Sequence, residues 1–510
     1  MSRLQRVFMK LITSLFFERC KITDKSLIMK RILTIAAGVL LAGSAMAQVN
    51  EFQVAVDRFA HADYLRNASV GVCVMDVDSG TVLASNAPDL AITTASTMKT
   101  VTSASALALL GKDYCFHTTV SAIGELKGNR LRGNVVVKGF GDPTLGSRHF
   151  ASHPNIVAEV VAALDSLGVK KIDGSIVYDE SAYPFETFSD NWMIEDLAYD
   201  YGPGVHAINF HDNLVKLSFD RSGTEATDFV FTPAIGNCQV ISHARVGDVQ
   251  NMYRLLNIGP NPNIILYGDI RRSDKRYVDD FVNPNPAQLL CDSIEHSLKA
   301  ADINVKNKRI KPEDLQDTLL VVDHRSPQLT RIVASLLDRS DNMFTEALLR
   351  AIARNDGKEA TAANGMAAVK RLWESKGIDT KPLFQRDGSG LARNGKATAR
   401  FFAQMLRQAN ADSVATGVRL ASLMTHLGVT GNIGKQIKNS PLKGKIASKS
   451  GSMGDVQCYV GYFPADCPKY TWAVLVNNWQ GSRSHLKDEI ETLLLNLFTQ
   501  RKGESRPADE

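Results

Sequence analysis

Residues 93–103 read TTASTMKTVTS, with Ser96 and Lys99 three positions apart at the head of a run of small residues. Positions i and i+3 share one face of a helix, so a hydroxyl and an amine spaced this way can touch. Serine is a weak nucleophile until a neighbouring base takes its proton. A lysine serves as that base only when neutral, and desolvation, a second cation or the positive end of a helix can each lower its pKa. The same helix start would set the backbone N–H of Ser96 where an oxyanion forms. The spacing alone decides nothing. It recurs at Ser440/Lys443 and Ser484/Lys487, and an isolated serine at a helix start is ordinarily an N-cap.

Two further motifs select among the three pairs. RSDNMFTEALLR contains Ser340-Asp341-Asn342, and ASKSGSMGD contains Lys449-Ser450-Gly451. With S-x-x-K these are the three elements of the penicillin-recognising serine transferases. Those enzymes run S-x-x-K, then S-x-N, then K-[ST]-G. Ser440 and Ser484 both follow Ser340, and Pro441 argues against a nucleophile-bearing helix at 440, so only Ser96 fits. A second S-D-N, Ser189–Asn191, precedes Trp192 inside the long middle block and is read as coincidental.

Around these motifs the chain changes texture twice. SVGVCVMDVDSGTVLAS (69–85) alternates apolar and polar residues about a turn and predicts a β-hairpin. VTSASALALLG continues the Ser96 segment as a buried helix ending at Gly111. From 118 to 320, short strands such as LRGNVVVKG and DGSIVYDES dominate, with one clear helix in NIVAEVVAALDSLG (155–168). Helical periodicity returns in SPQLTRIVASLLDRSDNMFTEALLRAIA. DVQCYVGYF and YTWAVLVNNW then read as an antiparallel pair, followed by the helix SHLKDEIETLLLNLF. The expectation is an α/β (α+β) fold. Its main domain is discontinuous, 48–117 with 321–500, and carries one or two β-rich domains inserted over 118–320, the second around 226–283.

The ordered motifs and the 244 positions between Ser96 and Ser340 give the chain a specific likeness. It resembles the D-alanyl-D-alanine carboxypeptidase/endopeptidases of the penicillin-binding protein 4 type, which have a β-lactamase/transpeptidase-like main domain with a long insert at this point. GFGDPTL (139–145), DNWMIEDLAYDYG (190–202) and DGSGLARN (387–394) match as well, and the likeness covers nearly all of 50–500. It departs at Ser450, where threonine is commoner, and in the GSM that comes next; the hydroxyl is kept. The resemblance implies that Ser96 attacks the terminal D-Ala–D-Ala carbonyl and Lys99 takes its proton. Ser340, held by Asn342, relays a proton to the leaving amine. Lys449 and Ser450 hold the substrate carboxylate next to Gly451, and the N–H groups of Ser96 and Ser452 form the oxyanion hole. It further implies that Asp196, with Glu195 as a second candidate, faces Arg393 and holds the zwitterionic end of a diaminopimelate side chain. The expected partners are peptidoglycan stem peptides and cross-links, and β-lactam antibiotics. No metal or cofactor enters this chemistry.

Composition fits that class. The 510 residues are 44% hydrophobic and 22% charged, as in a globular protein of two or three domains. The net charge of +5 sits at the N-terminus: residues 1–47 hold eight basic and two acidic side chains, and the rest carries 51 basic and 52 acidic. The body therefore has no basic excess to suggest nucleic acid. From Met29, MKRILTIAAGVLLAGSAMA reads as a cleaved secretory signal (29–47), too short in its apolar core for a stable membrane anchor. A periplasmic enzyme is expected. Residues 1–28 read as an over-called start or, alternatively, an uncleaved amphipathic anchor, and 501–510 as a disordered tail. Seven cysteines, widely spread and without C-x-x-C, make neither a zinc site nor a dense disulfide framework; one or two disulfides or buried free thiols both remain open. Two other functions compete. A β-lactamase needs a fast deacylating base and lacks so long an insert, and a non-catalytic wall-binding or β-lactam-sensing module needs no intact set of motifs.

Overall fold

In the computed structural model the expected hairpin is present. Strand β1 (Ser69–Asp76) pairs antiparallel with β2 (Val82–Asn86), Val74 facing Ala84. Residues 51–236, 238–256, 263–310, 317–431, 437 and 439–499 are described. The expected extension (1–28), signal (29–47) and tail (501–510) lie outside them. The chain divides into two units, 1–55 and 56–510. Of the first only the helical residues 51–55 are described, and the strands and numbered helices all belong to the second.

After the hairpin comes α1 (Met98–Leu110), buried from Met98 through Leu107. A helix buried around most of its circumference needs small residues where neighbours approach, which explains the run TSASA. Gly111 ends it with a positive φ of 86°. Next come β3 (His117–Lys127) and β4 (Arg130–Gly139), a register-perfect hairpin. Nearly two hundred residues later β5 (Thr318–Arg325) returns to pair with β3, His324 opposite Thr118. Two three-stranded sheets lie between, one from Leu214–Arg221, Thr227–Thr232 and Ser273–Val282, the other from Gln239–Gly247, Met252–Leu256 and Asn263–Arg271. These sheets share one apolar core, while the chain ends build a second that also takes in Phe150, Tyr183, Val205 and Ala207. The stretch between β4 and β5 also holds a helix, Pro286–Ala300, that its strand-rich texture did not announce; Asn285 caps it by accepting from the Gln288 N–H.

The helical run expected from 326 is two helices. Helix α2 (Leu329–Arg339) stops at Ser340, whose φ of 63° lies in the left-handed region, and α3 (Asn342–Asn355) restarts with Asp341 as its cap. Asp341 accepts from the Phe344 N–H at 2.9 Å. A non-glycine residue at positive φ is locally strained, so a sequence read for periodicity alone runs straight through the break.

The chain closes with β6 (Thr425–His426), β7 (Ala447–Met453), β8 (Val456–Phe463), β9 (Tyr470–Asn477) and α4 (Arg483–Phe498). The antiparallel sheet runs β6-β7-β8-β9-β1-β2, joining the two ends of the chain. All eight residues of β9 are buried. The cause is a helix layer on each face. Thr471 and Tyr462 bond the carbonyls of Ala403 and Leu406 in the helix Ala399–Ala411. Phe463, Tyr470 and Trp472, on the opposite face by the period of two, pack on Phe498 of α4. Cys73, Cys115, Cys238, Cys291, Cys458 and Cys467 are free thiols, so no disulfide joins these layers among the described residues.

Candidate active site

Ser96 does not sit inside a helix but in a single 3₁₀ turn, Ala95–Thr97, immediately ahead of α1. Ala95 has a positive φ of 45°. The turn keeps Ser96 half-exposed while Lys99, one turn on, is fully buried. Strand β7 runs beside this turn, and the approach depends on Gly451. A Cβ there would collide with the Thr94 carbonyl and lie 3.0 Å from the Ser96 nitrogen. Gly390 also passes close to the turn, with a φ of 77°, where a Cβ would strike the Ala95 carbonyl. Two glycines therefore let two segments close on the turn that carries the serine.

Lys99 Nζ makes three contacts. It lies 3.0 Å from Ser96 Oγ and 2.8 Å from the Ser389 carbonyl, and it bonds Asn342 Oδ1. Burial lowers its pKa to about 8, against the opposing pull of Asp387, Asp341 and Glu346. A free amine is thus accessible close to neutral pH. Neutral lysine has two N–H bonds and one lone pair. The Ser389 carbonyl and Asn342 Oδ1 only accept, so they take the hydrogens and leave the lone pair for the Ser96 hydroxyl. The Asn342 amide is itself fixed, since its NH₂ donates to the Tyr201 carbonyl at 2.6 Å.

Lys449 forms the second half. Its Nζ donates to Ser340 Oγ at 2.9 Å and to the Ser450 carbonyl at 2.6 Å. Burial, and then the Lys99 charge, push its pKa well below the usual lysine range. The left-handed turn at Ser340 aims the hydroxyl at Lys449. The structure thus brings Ser96, Lys99, Ser340, Asn342 and Lys449 together through β7, α1 and the α2–α3 break. Ser450 is half-exposed on β7, and Ser452 is exposed two residues on, its hydroxyl accepting from Arg483 at 2.7 Å.

The residues expected to hold a diaminopimelate end sit differently from a simple Asp–Arg face-off. Arg393 pairs with Glu195 at 2.9 Å, with both side chains about half-exposed. Asp196 is buried and accepts from the Tyr201 hydroxyl at 3.1 Å. Burial raises its pKa, while Tyr201 and Arg393 oppose the shift. The Ser440/Lys443 and Ser484/Lys487 pairs are elsewhere: Ser440 Oγ accepts from the Leu442 N–H in a turn, and Ser484 is exposed on α4. The second S-D-N is structural, Ser189 Oγ donating to the Arg386 carbonyl at 3.1 Å.

Several residues around the lysine were not singled out from the sequence. Glu346 accepts from the Gly388 and Ser389 N–H groups at 2.9 and 2.8 Å. Asp387 accepts from the Gly390 and Ala392 N–H groups, both at 2.7 Å, and from the Trp192 indole at 2.8 Å. The DGSGLARN and DNWMIEDLAYDYG stretches were conspicuous in the sequence, but nothing there says that they meet. Arg483, which also bonds the Gly454 carbonyl, carried no signal. No group of side chains among the described residues could hold a metal ion.

Comparison with known proteins bears on this geometry. Residues 52–497 match the model of the D-Ala-D-Ala carboxypeptidase 3 (S13) family. A D-alanyl-D-alanine carboxypeptidase of Actinomadura sp. is 26% identical over 464 residues, covering 88% of this chain and 85% of that protein. The D-alanyl-D-alanine carboxypeptidase DacB of Haemophilus influenzae is 25% identical over 404 residues, covering 78% and 82%. Among solved structures, penicillin binding protein 4 (dacB) from Haemophilus influenzae superposes with a TM-score of 0.73 at 22% identity, covering 85% of this chain and 97% of that one. At that identity the superposition establishes the fold, which is the expected mixed α/β one.

Proposed function

The chain belongs to the D-Ala-D-Ala carboxypeptidase 3 (S13) family of serine hydrolases, and on that premise we propose that it removes terminal D-alanine and cuts peptide cross-links of peptidoglycan through an acyl-enzyme on Ser96. One observation carries the reading: a buried lysine, lowered to about 8, has its two acceptor partners arranged so that its lone pair meets the Ser96 hydroxyl.

The contacts set the order of steps. Lys99 takes the Ser96 proton as Oγ attacks the penultimate D-Ala carbonyl carbon. The oxygen of that carbonyl becomes an oxyanion beside the N–H groups of Ser96 and Ser452. The C–N bond then breaks, and a proton passes to the leaving amine through Ser340, which Lys449 holds at 2.9 Å. D-alanine or the second stem departs with that proton. Water then gives a proton to Lys99 and attacks the ester, the shortened stem leaves as its carboxylic acid, and Ser96 Oγ takes the proton back from Lys99. The terminal carboxylate is held by Lys449 and the Ser450 hydroxyl. A β-lactam enters by the same attack, its ring amide taking the place of the peptide bond, and leaves slowly.

Arg393, Glu195 and Asp196 supply a basic and two acidic side chains at the edge of the insert, suited to the ammonium and carboxylate of a diaminopimelate end. Each charge-assisted bond contributes about 1.5–3 kcal/mol. The exposed Arg393–Glu195 pair is itself worth only about 0.2–1 kcal/mol, so it yields readily to a zwitterion. The domain division belongs to the same proposal, with 48–117 and 321–500 as the catalytic part and 118–320 as the insert; the return of β5 to β3 supports it. So does a periplasmic location, supported by the signal-like residues 29–47. Among the described residues no helix is long and apolar enough to cross a membrane.

Release of D-alanine from a pentapeptide stem, measured beside acylation by penicillin, tests the reading. Turnover of the stem with slow turnover of penicillin is expected. Fast hydrolysis of penicillin without release of D-alanine would make the protein a β-lactamase, and acylation without either turnover would make it a sensor.

A further inference from the structure

Two of the three groups touching Lys99 Nζ are themselves held by the insert, and by one short segment of it. The first is Asn342. Its amide could in principle present either end to the lysine. The Tyr201 carbonyl accepts from Asn342 Nδ2 at 2.6 Å. A carbonyl cannot donate, so this contact forces Oδ1 toward Lys99. The second is the Ser389 carbonyl, which belongs to the loop 387–390. Trp192 donates its indole N–H to Asp387 Oδ2 at 2.8 Å, and that carboxylate gathers the Gly390 and Ala392 N–H groups. Ser189 Oγ grips the Arg386 carbonyl just before it. Glu186 reaches Arg350 at 3.3 Å, and Arg350 bonds Glu346, which takes the Gly388 and Ser389 N–H groups.

This contact is not a loose surface encounter. Trp192, Leu197 and Ala392 form a small buried apolar cluster, with Phe188 and Leu391 against it. Trp192 is 8% exposed and Arg350 1%. A loop carbonyl and a side-chain amide are both free to rotate unless something fixes them. Glu346 of α3 holds the loop from inside the body that carries the motifs, and Trp192, Ser189 and Tyr201 add fixing groups from outside it.

We propose that the insert segment Glu186–Tyr201 is a positioning element for the catalytic base: through Trp192–Asp387 and Tyr201–Asn342 it fixes the two acceptors that turn the Lys99 lone pair toward Ser96. The proposal rests on the reading of Ser96 as nucleophile and Lys99 as its base. It gives the insert a role in the chemical step, separate from any contact it makes with substrate. Trp192 touches no reacting atom and acts only through Asp387 and the loop. Misaiming a base by a fraction of a bond length costs rate without weakening binding, since the reacting geometry and not the complex is altered.

The test uses the full chain with penicillin, which carries no diaminopimelate end. Rapid-mixing kinetics separate the dissociation constant of the non-covalent complex from the first-order acylation rate. Trp192→Phe keeps the ring in its apolar cluster and removes only the N–H donor. Ser189→Ala removes the neighbouring grip. We expect acylation to slow by about ten- to a hundredfold in the double variant, and by less in each single one, with the dissociation constant and the fraction of protein finally labelled unchanged. Misfolding would instead lower the labelled fraction and leave the rate of the remainder intact. Wild-type rates in both single variants and in the double variant overturn the proposal, as does a loss confined to the dissociation constant. Failure of the wild-type chain to label at Ser96 is a different outcome, and it overturns the underlying reading instead.

Discussion

Lys449 Nζ donates to Ser340 Oγ at 2.9 Å, joining two motifs that lie 109 residues apart, and it does so from a fully buried position. A buried amine beside Lys99 is held well below the ordinary lysine range, yet a substrate carboxylate needs it charged. Bringing that carboxylate in raises the lysine's pKa, so binding takes up a proton. Affinity is therefore full where Lys449 is protonated and falls as pH rises through its lowered pKa. The groups facing it are Lys99, which lowers it further, and Asp338, which opposes. KM for a carboxylate-bearing peptide should climb with pH, and a substrate lacking the carboxylate should show no such slope. Equal slopes for the two would remove Lys449 from carboxylate binding.

Acylation should be governed by the neutral form of Lys99. With its pKa lowered to about 8 by burial, the base is protonated below that value and free above it. The rate constant for penicillin acylation should therefore rise through roughly pH 8 and level off. Removing the opposing charge of Asp387 with Asp387→Asn should move this limb to lower pH. Lys99→Met should fold and fail to acylate at any pH. A flat profile between pH 6 and 9 in the wild-type chain would mean that another group takes the Ser96 proton.

Substrate choice should reside in Arg393 and the neighbouring carboxylates. Arg393→Ala and Asp196→Ala are each expected to lower kcat/KM on diaminopimelate-containing stems by about ten- to a hundredfold, the loss of one charge-assisted bond. Substrates without that end should be barely affected. Glu195→Gln, which frees Arg393 from its exposed partner, separates the two carboxylates: a loss in this variant alone would give the ammonium to Glu195. Equal losses on both substrate types would mean that Asp196 serves only to hold Tyr201.

Gly451 offers a test of the close packing behind the serine. Gly451→Ala places a Cβ against the Thr94 carbonyl and the Ser96 and Thr97 nitrogens, all backbone atoms, so strand and turn must shift to admit it. Overpacking of this kind costs about 1–3 kcal/mol. Thermal unfolding should show that loss, and acylation should slow with it because β7 and the Ser96 turn move apart. A variant as stable and as reactive as the wild type would show that the approach is looser than described.

Much of this was legible in the sequence. Ser96, Lys99, Ser340, Asn342 and Lys449 are named by motif order alone, because three short patterns in one sequence constrain each other where each singly does not. The joining of the chain ends in one sheet followed from apolar strands at 69–85 and 456–477. What escaped were features with no period. Ser340 breaks a helical pattern through its backbone conformation, which no apolar spacing records. The helix Pro286–Ala300 was hidden by the strands around it. Ser389 contributes a carbonyl, a group every residue has. Trp192 matters through a contact with Asp387, 195 positions away, and the sequence carries no sign of that meeting. For the same reason it showed acids at 195 and 196 without telling which one turns inward.

The central claim is that Ser96 is the nucleophile, and one measurement reaches it directly. The wild-type chain is mixed with penicillin, digested, and the adduct located by peptide mass. A single penicilloyl group on the peptide bearing Ser96 is expected, absent from a folded Ser96→Ala chain. An adduct on Ser440 or Ser484, or one that persists in Ser96→Ala, would place the nucleophile elsewhere and contradict the claim.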